Sequence, residues 1–184
     1  MITAGHQATS YSELDDAALV RSTRAGDMDA LAELYCRYSQ ASMAVAYRLI
    51  PTKDVAEDVV HDVFVGLPEA VRKYDERGKF AAWIKKVTAR VALSVLRHEQ
   101  AADRLTPAPV SATSSDVHAK MTLDTAVASL PSTLRAVLVL KEIEGFSHAE
   151  IASMLGISKG ASEVRLHRAF AQMREILTKG EGRS

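Results

Sequence analysis

The sequence predicts an all-α protein of two small helical domains joined by a flexible linker. Three observations carry that prediction. Apolar residues recur at three- and four-residue steps through most of the chain, the period of a helix with one buried face. One stretch, 101–120, holds Pro107, Pro109, Ser111, Ser114 and Ser115 and keeps no period. Beyond it, Ser147, Glu150 and Gly156 are spaced as a helix start, its capping partner and a helix stop. The expected plan is a tail over 1–12, a first domain over 13–100, a linker over 101–120 and a second domain over 121–179.

Residues Met1 to Ser12 are polar and aperiodic and read as a tail. A short helix is expected from Asp15 to Ala25, stopped by Gly26. Asp27 caps the next, Met28 to about Ile50, whose apolar positions are Leu31, Leu34, Tyr35, Tyr38, Ala41, Val45 and Leu49. Pro51 breaks it. A helix over Asp54 to Val71 follows, with Val55, Val59, Val63 and Leu67 as its packed stripe. Asp54, Asp58 and Asp62 form a second file beside that stripe, and Lys53 to Val71 holds one basic residue against five acidic ones. Like charges in one file repel by a few tenths of a kcal/mol per pair. A basic partner relieves that repulsion, and a solvated acidic face is the plainer alternative.

Tyr74 to Lys79 reads as a loop turning at Gly78. A helix then runs from about Lys79 to Arg97, with Phe80, Ile84, Val87, Val91 and Val95 expected on its core face. Lys79, Lys86, Arg90 and Arg97 fall within roughly 20° of one line, with Trp83 about 40° away. From Arg72 to Arg97 there are eight basic residues and two acidic ones. A file of cations holding an aromatic suits a nucleic-acid backbone and unpaired bases. The second domain reads as four helices: Thr122 to Ser129, Ser132 to Glu144, Ser147 to Leu155 and Lys159 to Leu177. The last two, joined by a turn at Gly156 and Ile157 with Ser158 as the next cap, have the helix-turn-helix pattern.

Several classes are set aside. Lys and Arg total 23 and Asp and Glu total 23, so the sum of charge selects no partner and only its placement matters. Cys36 is the single cysteine, which forbids an internal disulfide and fits a reducing cytosol. No apolar run approaches the ~20 residues of a membrane span, and no signal peptide is visible. The six histidines are scattered without metal-ligand spacing. No phosphate loop or nucleophile elbow occurs, so neither catalytic residue, metal nor cofactor is expected.

An acidic helix, a basic helix bearing Trp83, a linker and a helix-turn-helix together resemble a bacterial RNA polymerase sigma factor of the extracytoplasmic-function (ECF) group of the sigma-70 family. The resemblance covers Leu14 to Leu177 and is strongest over Ala56 to Phe64, Tyr74 to Ile84 and Gly145 to Arg168. It implies a non-enzymatic, cytoplasmic specificity subunit that binds core polymerase through its β′ and β subunits, recognises promoter DNA and is controlled by an anti-sigma factor. By that resemblance Glu57, Asp58, Asp62 and Phe64, with Asp54 beside them, dock on the β′ coiled coil. Asp75, Arg77, Lys79, Phe80 and Trp83 separate the minus-ten strands and hold a flipped base, while Lys86, Arg90 and Arg97 follow phosphates. Lys159, Glu163, Val164, Arg165 and Arg168 face the minus-thirty-five major groove. The chain departs from the family pattern at His61, Val91, Ser94, Ser162 and Glu163, so the resemblance does not assign a promoter sequence. Two other readings remain at this stage. A sigma mimic that only occupies an anti-sigma factor has no use for the basic file and Trp83. A stand-alone helix-turn-helix regulator leaves the acidic helix unexplained.

Overall fold

The computed structural model describes residues 11–75, 78–105 and 123–181, with 99–105 and 179–181 as backbone. The expected tail over 1–12 and linker over 101–120 fall mostly outside the described residues. Among the described residues every regular element is helical.

The first domain opens with a 3-10 turn at Tyr11–Glu13 and helix α1, Asp16–Arg24, capped by Asp15, which accepts from the Ala18 amide at 2.7 Å. Helix α2, Met28–Leu49, starts on Asp27, whose carboxylate takes the amides of Asp29 and Ala30. Those bonds satisfy donors that a helix start leaves unpaired. Tyr11 Oη donates to the same carboxylate at 2.8 Å, and this bond holds the Asp27 carboxyl below its usual range. Leu34, Val45, Ala46 and Leu49 are buried along α2. Tyr35, expected on that face, is instead 48% exposed.

Helix α3, Lys53–Val65, and the four-residue α4, Leu67–Ala70, replace the single expected helix over 54–71. Pro68 explains the break: it has no N–H to give to Phe64, and its ring crowds that carbonyl. Gly66 sits at the joint, and Leu67 and Val71 stay fully buried past it. A 3-10 turn, Val71–Lys73, leads to Tyr74. From α1, Arg24 Nε donates to the Val71 carbonyl at 2.7 Å and its guanidinium also bonds the Tyr74 carbonyl, tying this turn to α1.

Helix α5 runs Phe80–Leu105, well past its expected end at Arg97. Its core face is also turned. Ile84, Thr88, Ala89, Ala92, Leu93 and Leu96 are buried, while Val87, Val91 and Val95 are half-buried at the flank. The small Ala89 and Ala92 lie fully buried on this face, and α5 packs against both α2 and α3. Thr88 Oγ1 donates to the Ile84 carbonyl, so the one buried hydroxyl on this face is satisfied.

The second domain comprises α6, Leu123–Ala128, α7, Ser132–Leu138, α8, His148–Leu155, and α9, Lys159–Glu181. After α7 the chain widens into a π turn, Val139–Ile143, inside what the sequence predicts as one helix. The capping box is present: Glu150 N donates to Ser147 Oγ at 3.2 Å, and Ser147 N donates to Glu150 Oε2 at 3.0 Å. Gly156 takes φ 65°, the left-handed conformation that ends α8 and turns the chain into α9. Ser158 Oγ accepts from the Ala161 amide as expected of a cap.

Leu34 is fully buried where α2 meets its neighbours. Leu34→Ala is expected to destabilise the first domain by about 2–5 kcal/mol, read as a lower denaturant midpoint at unchanged slope.

Candidate nucleic-acid and protein interface

Three surfaces carry the residues singled out by the sequence. On α3, Asp54, Glu57, Asp58 and Asp62 are all exposed. Glu57 pairs with Lys53 at 3.6 Å across one turn, but Asp54, Asp58 and Asp62 have no ion-pair partner among the described residues. Phe64, expected in the same contact, belongs to the core: it is 5% exposed and packs edge-on to Tyr35 at 4.9 Å. Tyr35 is therefore the aromatic that reaches the surface. With Tyr47, Met43 and His61 it lines a groove between α2 and α3 beside the acidic file. The sequence concealed this groove because Tyr35 falls on the buried period of α2.

The second surface is the start of α5 and the loop before it. Trp83 is half-buried in a ring cluster, with centroids 4.8 Å from Tyr74 and 5.5 Å from Phe80. Tyr74 and Phe80 lie 5.6 Å apart edge-on, and Tyr38 touches Phe80 from α2. Phe80, expected on the core face by its period and among the DNA contacts by the resemblance, is 3% exposed. It supports Trp83 from beneath, because the first turn of α5 points it at Tyr38 and the core. Lys79, Arg90 and Arg97 are exposed, and Asp75 is exposed at the loop. Arg77 lies outside the described residues. Lys86 is half-buried and engaged: its Nζ is 2.8 Å from Glu150 Oε1 and 5.9 Å from the Phe146 ring.

The third surface is α9. Lys159, Val164 and Arg168 are exposed, and Glu163 and Arg165 are half-exposed. Lys159 and Glu163 pair at 3.7 Å, so the unusual glutamate shares its charge with the first cation of the helix. Ser162, another departure from the family pattern, is fully buried and bonds His148 Nδ1 at 2.9 Å. That bond joins the two helices of the helix-turn-helix where an aliphatic contact is usual. A further groove runs between α6, the π turn and α9, with exposed Leu123, Ile143 and Phe170 at its rim. Among the described residues, no group of three or more His, Cys, Asp and Glu could hold a metal, and no helix is long and apolar enough to cross a membrane.

Two charged helix faces flanking an aromatic cluster, with a helix-turn-helix behind them, define a transcription initiation module. The sigma-70 region 2 family matches residues 34–102, and the sigma-70 region 4 family matches residues 120–173. The RNA polymerase sigma factor CarQ of Myxococcus xanthus is 29% identical over 84% of this chain and 92% of its own length. The ECF RNA polymerase sigma factor SigE of Mycolicibacterium smegmatis is 30% identical over 80% of this chain, which spans 61% of that protein. A solved structure of CnrH in complex with the cytosolic domain of CnrY is 27% identical, with a TM-score of 0.54, over 89% of this chain and 97% of CnrH. The chain belongs to the sigma-70 family of RNA polymerase sigma factors, in its ECF group.

The Lys86 ammonium, with the Ser147 amide and hydroxyl, holds the Glu150 carboxyl down to about 2 from an ordinary 4.5. A carboxyl depressed in the folded state contributes stability above its unfolded value and loses it as pH falls toward the folded one. The Glu150 contact is therefore at full strength above about pH 5 and fades as pH falls toward 2. In a carboxyl-detected NMR titration, Lys86→Ala is expected to return the Glu150 midpoint toward the ordinary carboxylate range.

Proposed function

We propose that this sigma factor docks on core RNA polymerase through the exposed face of α3 and opens promoter DNA with the start of α5. The observation that carries the reading is the separation of charge. Three uncompensated aspartates lie on α3, and a cation file leads away from Trp83 on α5. An acidic face beside a groove rimmed by Tyr35 and Tyr47 suits a helix of the β′ subunit that carries basic and apolar residues. Desolvating Asp58 and Asp62 against such cations gives each pair more than a water-exposed pair gains.

Trp83, backed by Tyr74 and Phe80, presents a fixed aromatic surface for a base pulled from the stack. Unstacking costs a few kcal/mol, and aromatic stacking with backbone cations returns about as much. Lys79, Arg90 and Arg97, with Lys86 once it is released from Glu150, follow the phosphates. Phe80 acts here as a positioning residue. Lys159, Val164, Arg165 and Arg168 meet the minus-thirty-five element, with Glu163 able to accept from cytosine N4 when it leaves Lys159. The protein works in the cytoplasm, binds both β′ and β, carries out no catalysis and is restrained by an anti-sigma factor. The similar CnrH is held in a complex with a second protein, the cytosolic domain of CnrY, which supports control by a bound protein partner.

Run-off transcription with purified core polymerase separates the two faces. Asp58→Lys/Asp62→Lys is expected to lose core binding, at least tenfold in apparent affinity, and all transcription with it. Trp83→Ala/Lys86→Ala is expected to keep core binding and lose strand opening, seen as absent permanganate reactivity. Wild-type protein that fails to bind core would overturn the assignment of α3.

A further inference from the structure

We propose that Ser162 is a specificity-determining positioning residue: its hydrogen bond to His148 sets the roll of α9 in the minus-thirty-five groove. The proposal rests on the reading of α9 as the helix that meets that element. Ser162 is fully buried, and its Oγ is 2.9 Å from His148 Nδ1. His148 is the first residue of α8 and is half-exposed. Among the described residues this is the one side-chain hydrogen bond that joins α8 to α9. A hydroxyl without access to water needs a partner for its own hydrogen. Donation from Oγ to Nδ1 provides one. The reverse bond, from Nδ1–H to Oγ, leaves that hydrogen unpaired. Ser162 therefore donates, and His148 carries its ring proton on Nε2.

Both ends of the bond are fixed. His148 lies inside the capping box, between Ser147 and Glu150, which bond each other at 3.2 and 3.0 Å. Ser162 lies one turn after the cap of α9. Its amide donates to the Ser158 carbonyl at 3.1 Å, and Ser158 Oγ accepts from the Ala161 amide at 3.1 Å. Two capped first turns joined by a directional bond cannot rotate past each other without breaking it. An apolar contact, usual at this place in the family pattern, has no preferred direction and tolerates such slip.

Roll is felt at the tips of the reading side chains. Glu163 follows Ser162 directly, and Lys159 and Arg165 stand three residues to either side. Side chains reach about 5–6 Å from a helix axis, so a roll of about 20° carries a tip about 2 Å. A base contact tolerates far less, since N–H···O bonds hold between about 2.7 and 3.2 Å. With α9 pinned at Ser162, Val164 and Arg165 meet one set of base edges. Unpinned, the same side chains sample several.

The test reconstitutes holoenzyme with core polymerase and selects from a duplex library randomised over both promoter elements. Wild type and His148→Asn, whose side-chain oxygen takes the place of Nδ1, are expected to enrich one upstream element. Ser162→Ala and His148→Phe are expected to enrich a broader set. Each should discriminate the wild-type element from its single-base variants about fivefold less, the order of one base contact. The double variant is expected to lose no more than either single one, because both remove the same bond. Thermal unfolding is read alongside, and half-exposed His148 supplies the variant that spares folding if Ser162→Ala does not. Variants that melt earlier yet discriminate as well as wild type would overturn the proposal. So would a His148 ring protonated at Nδ1 in the wild-type chain, read by nitrogen NMR of the imidazole with His148→Asn as the assignment. If wild-type holoenzyme enriches no upstream element, the reading of α9 itself falls, and the role of the pin with it, whatever the NMR shows.

Discussion

Everything in the first domain depends on the burial of α2. Its apolar positions are covered from several sides at once by α1, α3 and α5, and Leu34, Ala46 and Leu49 are sealed from solvent. A helix covered that fully dictates which way its neighbours can turn. With Val59, Val63 and Phe64 drawn inward, α3 can only present Asp54, Asp58 and Asp62 to water. With Ile84, Ala89, Ala92 and Leu93 drawn inward, α5 presents Lys79, Arg90 and Arg97. Hydrophobic burial has no direction of its own, yet it orients both charged faces because each helix has one face to hide.

The aromatic cluster translates that packing into a site. Tyr38 on α2 meets Phe80, and Phe80 with Tyr74 holds Trp83 half in and half out. Tyr74 is in turn fixed by Arg24, which bonds its carbonyl from α1. The only tryptophan is therefore positioned by three helices and a turn. A ring held this way has little conformational freedom left to lose.

Polar groups join the two domains at several places. Arg135, Glu144 and Glu150 each pair with a group on the first domain. Charge-assisted contacts of this kind are directional and weaken once water reaches them, whereas an apolar seam of the same size would resist separation.

By itself the sequence determined what local chemistry determines. The helix class, the caps at Asp15, Asp27, Ser147 and Ser158, the Gly156 turn and the charge files on α3 and α5 all follow from neighbours a few residues apart. The family was legible for the same reason, since its motifs are runs of consecutive residues. The turn of α5 was not legible: valine outranks alanine as a core residue, yet Ala89 and Ala92 are the buried positions and Val87, Val91 and Val95 lie at the flank. Nor was the break before Pro68, where the apolar stripe continued unbroken through Leu67. The resemblance implied contacts for Phe64 and Phe80, which pack against Tyr35 and Tyr38 in the core; for Phe80 the helical period had already given the core face. The contacts between the two domains were the least visible of all. They join residues 64, 86 and 96 positions apart, and no periodicity or spacing encodes a pairing across that distance. Only the tertiary structure could decide them, because a buried charge is known by what surrounds it in space and not by its place in the chain.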